Sequence, residues 1–539
     1  MHRSFLPGCL WSPIVQLAEI ELWLISGMCE KESLDMGIQL VWFKRDLRIN
    51  DHFPLVEAAE RGPCLGLYVY EPELIEAEDS DAAHLNFVNQ SLVELRKNLR
   101  RLGSELLLRI GKMPEVLDRL HHDIGISKIW AHEETFNHIS YQRDRRVRAW
   151  SKAKHIPLME IPQYGVVRRL KDRDGWARQR AERMKQPCVN PPAVVNAPAN
   201  IQNIRAGELQ SSDQFRVRSF DRTDVQAGGE AGAHSCLDSF LAERGVHYRS
   251  DMSSPLTGES GCSRLSPFLA YGNLSMKTIH QRTEARVREL KELRKSGEKI
   301  QPGWLKSLSS FRSRLSWHCH FMQKLEDEPT IEFENFNRTF DGLRENEFNA
   351  NHFAAWCAGQ TGYPMVDACM RALKQTGWIN FRMRAMLVSF ACYHLWLHWR
   401  EPALYLARLF LDYEPGIHYS QVQMQAGVTG INTIRIYSPI KQVADQDPQG
   451  EFIRLYLPEL ADVPDKHLAE PHRMTSMEQT FFGCKIDQDY PAPIVDHKTR
   501  YKEARDRMFQ YKRRPETREA AEQVYKKHGS RRTPMNRRG

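Results

Sequence analysis

The sequence predicts an α/β domain on a doubly wound parallel sheet, followed by an all-helical domain. Three observations carry this. Short apolar runs alternate with helical periods up to residue 165. A stretch rich in Pro, Gly, Ala and Asn follows. Beyond it, helical periods dominate and strand signals fade. A chain of 539 residues with 41% hydrophobic content supports two or more cores.

Residues 1–37 read as an extension ahead of the fold. Their apolar stretch PIVQLAEIELWLIS is interrupted by Glu19 and Glu21, and is too short and too charged to span a membrane. Met36 stands directly before the first strand pattern. The α/β domain spans 38–165. Its strands are expected within GIQLVWFKR (37–45), LGLYVY (65–70), ELLLRI (105–110), KIWAHE (128–133) and IPLMEI (156–161), with helices at 82–102 and 114–123. No GxGxxG follows the first strand, so a dinucleotide fingerprint is absent. A linker spans 166–236, and the helical domain spans 237–490. Its strongest helix is expected over 378–399, WINFRMRAMLVSFACYHLWLHW, apolar nearly all round and therefore buried.

The net charge of +8 is not spread evenly. From Lys498 onward there are 15 Lys+Arg against 5 Asp+Glu, and before it 61 against 63. Residues 491–539 therefore read as a basic, disordered tail. The eleven cysteines form no CxxC, which gives a zinc ribbon or redox motif no support. A reducing cytoplasm is the expected setting.

LVWFKRDLRINDH (40–52) resembles the opening of the photolyase/cryptochrome flavoprotein family. SRLSPFLAYGNLS (263–275), TGYPMVDACMRAL (361–373), RIYSP (435–439) and GEFIRLYLPEL (450–460) recur in the family's order. The resemblance covers about residues 38–465. It implies a Rossmann-like antenna domain with a pocket for a second chromophore of unspecified identity, FAD in the helical domain, and blue-light chemistry.

SGCSRLS (260–266) suits a phosphate: glycine allows close backbone approach, and Ser263 and Ser266 offer hydroxyls at a helix start. The resemblance places Gly261, Cys262, Ser263, Arg264 and Leu265 there, with Tyr248 upstream. Cys262 stands where relatives often carry a hydroxyl residue, and the spacing from Tyr248 is two residues longer. Phe311, Arg314, Trp317, Trp378 and Tyr413 match further cofactor-contacting positions. Arg384 and Asp412 match an ion pair beside the flavin ring, able to polarise it provided both partners stay paired. Glu414 fills a position usually held by Asp. His418 falls where Asn or Asp commonly faces flavin N5, and a histidine there implies pH-sensitive redox behaviour.

Three departures bear on function. Cyclobutane-dimer photolyases flip the lesion into the cavity onto a glutamate. The register set by Trp317 puts Arg314 at that position, and the partner asparagine maps to Phe381. The two histidines of six-four photolyases map to Phe381 and Ala385. A guanidinium cannot act as a neutral acid, but it can stabilise developing negative charge. Of the family's electron-transfer tryptophans only the middle one is matched, by Trp399; Val422 and Asn346 occupy the other two positions. Arg382 and Arg435 match DNA-phosphate arginines, with His318 at a third.

No metal site is expected. His318 and His320 are two apart and face different ways on a helix. His394 and His398 lack a third ligand. The resemblance thus implies a photolyase-class flavoprotein, acting as a monomer on damaged pyrimidines in DNA. The alternative is a blue-light photoreceptor without repair activity.

Overall fold

The computed structural model describes residues 37–530; the expected extension before residue 37 lies outside them. Five parallel strands form one sheet: β1 (Ile38–Trp42), β2 (Cys64–Tyr70), β3 (Leu106–Ile110), β4 (Ile126–His132) and β5 (Leu158–Ile161). The order β3-β2-β1-β4-β5 reverses at β1, as a doubly wound sheet requires. β1 is central and wholly buried, which explains its unbroken apolar run.

The crossover helices are punctuated by local chemistry. Asp81 caps Ala82–Leu102 by accepting from the Ala83 N–H, and Gly103 ends it in the left-handed region. Gly272 has φ +68°, and a Cβ there would meet the Arg45 carbonyl oxygen at 2.2 Å. That glycine lets the two domains touch at the carboxyl end of β1.

The expected linker is not a free tether. It contains the helix Trp176–Lys185 and runs hydrogen-bonded along the α/β domain, with Val195 N–H on Leu102 O, Cys64 N–H on Asn196 O and Leu108 N–H on Ala206 O. Its prolines and glycines shape an ordered strap.

Two expectations need correction. The long helix over 378–399 is broken. Helix Phe381–Ser389 passes into a π-turn at Phe390–His394, Trp396 sits at φ +55°, and a new helix starts at Arg400. Apolarity on all sides reported burial but carried no register, so it could not reveal the break. The basic tail is not disordered through its described part. Helices His497–Arg513 and Pro515–His528 dock on the helical domain through Ala504, Met508, Val524 and His528. Charge counting missed this because one apolar face suffices to dock a helix whose other faces are solvated. Among the described residues no helix is long and apolar enough to cross a membrane.

Met508 is fully buried beside Arg344 and Gly427. Met508→Ala is expected to cost about 2–5 kcal/mol, read by chemical denaturation.

Candidate functional site

Three helices of the helical domain build a cavity of about 300 Å³. Trp304–Asp327 presents Phe311, Arg314, Leu315 and His318; Phe381–Ser389 presents Phe381, Arg384, Ala385 and Val388; Pro415–Ala426 presents His418, Gln421, Val422 and Gln425. Each set follows the i, i+3, i+4, i+7 rhythm of one helix face. The loop 410–414 and the turn 262–266 close the remaining sides.

The expected cofactor positions converge here. Tyr248, Cys262, Ser263, Arg264, Leu265, Phe311, Arg314, Trp317, Trp378, Arg384, Asp412, Tyr413, Glu414 and His418 all line the cavity. Gly261 does not: a Cβ there would meet Asp251 Oδ2, so its lack of a side chain serves packing behind the wall. Arg264 holds φ +58° and lays its guanidinium 4.1 Å from the Trp378 ring centroid. Such strain in a non-glycine residue is characteristic of ligand clamps.

Arg384 grips Asp412 with two hydrogen bonds of 2.8 and 3.0 Å, while its Nε donates to Ile379 O at 2.8 Å. Burial would raise the Asp412 carboxyl, but the Arg384 charge and hydrogen bonds hold it below its ordinary value.

His318 departs from expectation. It does not reach out to a phosphate rim. Its Nε2 lies 2.9 Å from Glu414 Oε2, and both side chains are at least nine-tenths buried. Burial alone would lower the imidazole pKa, but the Glu414 carboxylate overrides this and lifts it to about 10. The pair is therefore an imidazolium–carboxylate couple on the cavity wall. The longer reach of Glu over Asp at 414 is used to meet this imidazole.

His418 donates Nε2–H to Ala403 O at 2.8 Å, and burial lowers its pKa to about 4. It is neutral at physiological pH, so the pH-sensitivity expected of it falls in the acid range.

Arg314 stands exposed at the mouth, its guanidinium 5.1 Å from the half-exposed Phe381 ring. Arg382 lies next to Phe381 and reaches Ser253 Oγ at 3.3 Å. Arg435 is exposed on the loop before Ser438. Trp399 lies outside the cavity, fully buried, donating to Asn335 Oδ1 at 2.7 Å.

Sequence reasoning missed Gln421. Its Oε1, like His318 Nδ1, is buried on the cavity wall without a hydrogen-bond partner. Gln421 lies three residues after His418 on one helix face, a spacing that could have found it. Orphaned polar edges around an aromatic-lined cavity fit a ligand with both a planar apolar body and hydrogen-bonding edges, as FAD has.

The metal-like pairs separate. His318 meets Glu414, whereas His320 Nδ1 receives Arg173 Nη2 at 2.8 Å. His394 pairs with His497 at 2.8 Å, and His398 faces Glu345. Among the described residues one group, Asp46, His52 and His132, gathers three ligating side chains. His52 Nδ1 accepts the Leu55 N–H, so its Nε2–H donates to Asp46 Oδ2 at 2.9 Å; His132 Nδ1 approaches the same oxygen at 2.8 Å. Two imidazoles donating to one carboxylate make a structural knot at the end of β1.

Because the folded pKa of His318 is raised, its contribution to stability is full below about 6.5 and is lost as pH rises through about 10. Imidazole NMR should find His318 still protonated at about pH 8, and in Glu414→Gln it should titrate well below that.

Comparisons with known proteins agree with this geometry. A family model described as DNA photolyase matches residues 39–168, and one described as the FAD binding domain of DNA photolyase matches 311–510. A deoxyribodipyrimidine photo-lyase of Alkalihalophilus pseudofirmus is 26% identical over 504 residues, covering 87% of this chain and 97% of that protein. A cryptochrome DASH of Gloeobacter violaceus is 28% identical over 490 residues, covering 85% and 93%. Among solved structures, a bacterial class III photolyase from Agrobacterium tumefaciens superposes with TM-score 0.76 at 24% identity over 90% of this chain and all of that one. A Synechocystis cryptochrome gives 0.74 at 25% identity over 88% and 99%. The chain belongs to the photolyase/cryptochrome family of flavoproteins, with an α/β domain and a helical FAD-binding domain.

Proposed function

We propose that this protein is a light-driven repair flavoprotein that donates an electron from FAD to a flipped pyrimidine lesion in DNA. One observation carries the reading: a guanidinium and an aromatic ring, Arg314 and Phe381, face each other across the mouth of the flavin cavity. An aromatic face stacks a base, and a fixed cation stabilises negative charge that develops on it. Bound there, FAD supplies the photochemistry. Arg264, Ser263 and the rest of the turn 262–265 would hold its phosphates, Arg384 and Asp412 would hold its ring, and the His318–Glu414 couple would supply a proton donor on the wall.

Arg382, next to Phe381 at the mouth, and Arg435, exposed on the loop before Ser438, bind DNA phosphates. The protein works as a cytoplasmic monomer. A second chromophore would occupy the cavity of about 110 Å³ at the carboxyl ends of β1 and β2, between Trp42, Tyr68, His84 and Tyr271.

A photoreceptor role is the second reading. It is favoured by Arg314 standing where a neutral acid is expected, and by the tail helix that locks His497 against His394 in the π-turn.

Purified protein should be yellow and should bleach under blue light with a reductant. Reduced, illuminated protein is then offered oligonucleotides carrying cyclobutane or six-four lesions, single- and double-stranded. Repair of one lesion is expected, with Arg314→Ala slower by about 100-fold. Bleaching without any repair would decide for the photoreceptor. Arg382→Ala should weaken DNA binding whatever the sequence and reduce the salt slope by about 1.

A further inference from the structure

Trp399 has no carrier on the route its family position implies, because Val422 and Asn346 offer no aromatic side chain. The structure supplies another route. Tyr413 lines the cavity and donates its hydroxyl to Asp79 Oδ2 at 2.8 Å. The phenol oxygens of Tyr413 and Tyr419 are 3.4 Å apart. The Tyr419 ring lies 6.1 Å from the Trp399 ring between centroids. All three aromatics are buried. The series runs unbroken from the cavity wall to Trp399.

The acceptor on Tyr413 is a buried carboxylate supplied by the other domain. A buried phenol needs only a backbone carbonyl to be satisfied. Here the α/β domain sends in a carboxylate, at the cost of taking a charge out of water. Asp79 is buried and receives one other side-chain hydrogen bond, from Asn137 Nδ2 at 3.2 Å. Burial raises its pKa, with the Glu78 charge adding to the effect. Glu332 faces it from the helical domain, also buried, with its pKa raised to about 8 by burial and by Asp79. Arg400, whose charge acts on Glu332, is itself paired with Glu78 at 2.6 Å. The site holds a carboxylate with enhanced proton affinity against a phenol, which is what oxidation of tyrosine requires.

We infer that Tyr413 and Tyr419 are the electron donors next to the flavin cavity, with Asp79 as their proton acceptor and Trp399 behind them. This rests on FAD occupying the cavity. One electron leaves Tyr413 for light-excited oxidised flavin, and the phenol proton moves to Asp79. A neutral tyrosyl radical and a neutral carboxyl group remain. An electron and a proton then pass from Tyr419 to the Tyr413 oxygen, moving the radical to Tyr419. Trp399 supplies the next electron while the proton returns from Asp79 through Tyr413 to Tyr419. Both tyrosines and the carboxylate are restored. The Trp399 radical cation takes one electron through the protein from a soluble thiol at the surface, and two such turnovers join the two thiyl sulfurs as one disulfide while both thiol protons pass to water.

The test uses the full-length protein loaded with FAD, under blue light with a thiol. Three quantities are read: FAD content, bleaching rate, and the tyrosyl radical by EPR, identified by narrowing with ring-deuterated tyrosine. The parent should show the radical and a solvent deuterium isotope effect. Tyr413→Phe should keep FAD, lose the first radical and bleach about tenfold or more slowly. Asp79→Asn should slow bleaching and abolish the isotope effect. Trp399→Phe should keep the radical but lose net bleaching. Should Tyr413→Phe fold poorly, fluorotyrosine placed at 413 keeps the shape and should alter the hyperfine pattern. A parent that takes up no FAD overturns the reading of the cavity. A parent that bleaches, matched by Tyr413→Phe in both rate and radical, overturns this inference alone.

Discussion

The Arg384–Asp412 ion pair is the constraint on which the site depends. Its two hydrogen bonds tie the helix Phe381–Ser389 to the loop leading into Pro415–Ala426. The Arg384 Nε bond to Ile379 O fixes the approach of that helix. Removing the half-buried Arg384 would leave the buried Asp412 carboxylate without its partner, at a cost of about 1–3 kcal/mol. With Asp412 fixed, its neighbours have no freedom. Tyr413 is directed at the α/β domain and Glu414 at His318. One ion pair thus sets the cavity wall, a proton donor and the interdomain contact.

The two domains meet through polar contacts that serve this geometry. Arg45 leaves the end of β1 to donate to Ala270 O and Tyr413 O at 2.7 and 3.3 Å. Glu230 accepts the backbone N–H groups of Ile49 and Asn50, each at 2.9 Å. Asp79 closes the set from above the sheet. The carboxyl ends of the central strands therefore work as a support for the helical domain, and Tyr413 forms part of the wall of both cavities.

The cavity's electrostatics follow from where each charge can be matched. His318 carries a proton because Glu414 is within reach; His418 does not, because burial lowers its pKa and its hydrogen-bond partner is the neutral Ala403 carbonyl rather than a carboxylate. Arg314, with an aromatic face but no carboxylate across the mouth, keeps its charge available to a substrate. Identical residue types thus take opposite roles a few ångströms apart, decided by partner and burial.

The sequence by itself determined the five strands, the helical second half and most of the cavity lining. The strands and helices rest on local properties, apolar alternation and helical spacing, whereas the lining rests on what the family resemblance implies for each matched residue. It could not determine the turn of His318 away from the rim, since neighbouring positions on a helix differ by about 100° and either face was open to it. It could not mark the break after Ser389, because an all-apolar run has no register. It read the tail as charge and missed the face that docks. Least of all could it join Asp79 to Tyr413, 334 residues apart. Only packing one domain on the other brings that carboxylate to that phenol, because such a contact has no local signature in either stretch of chain.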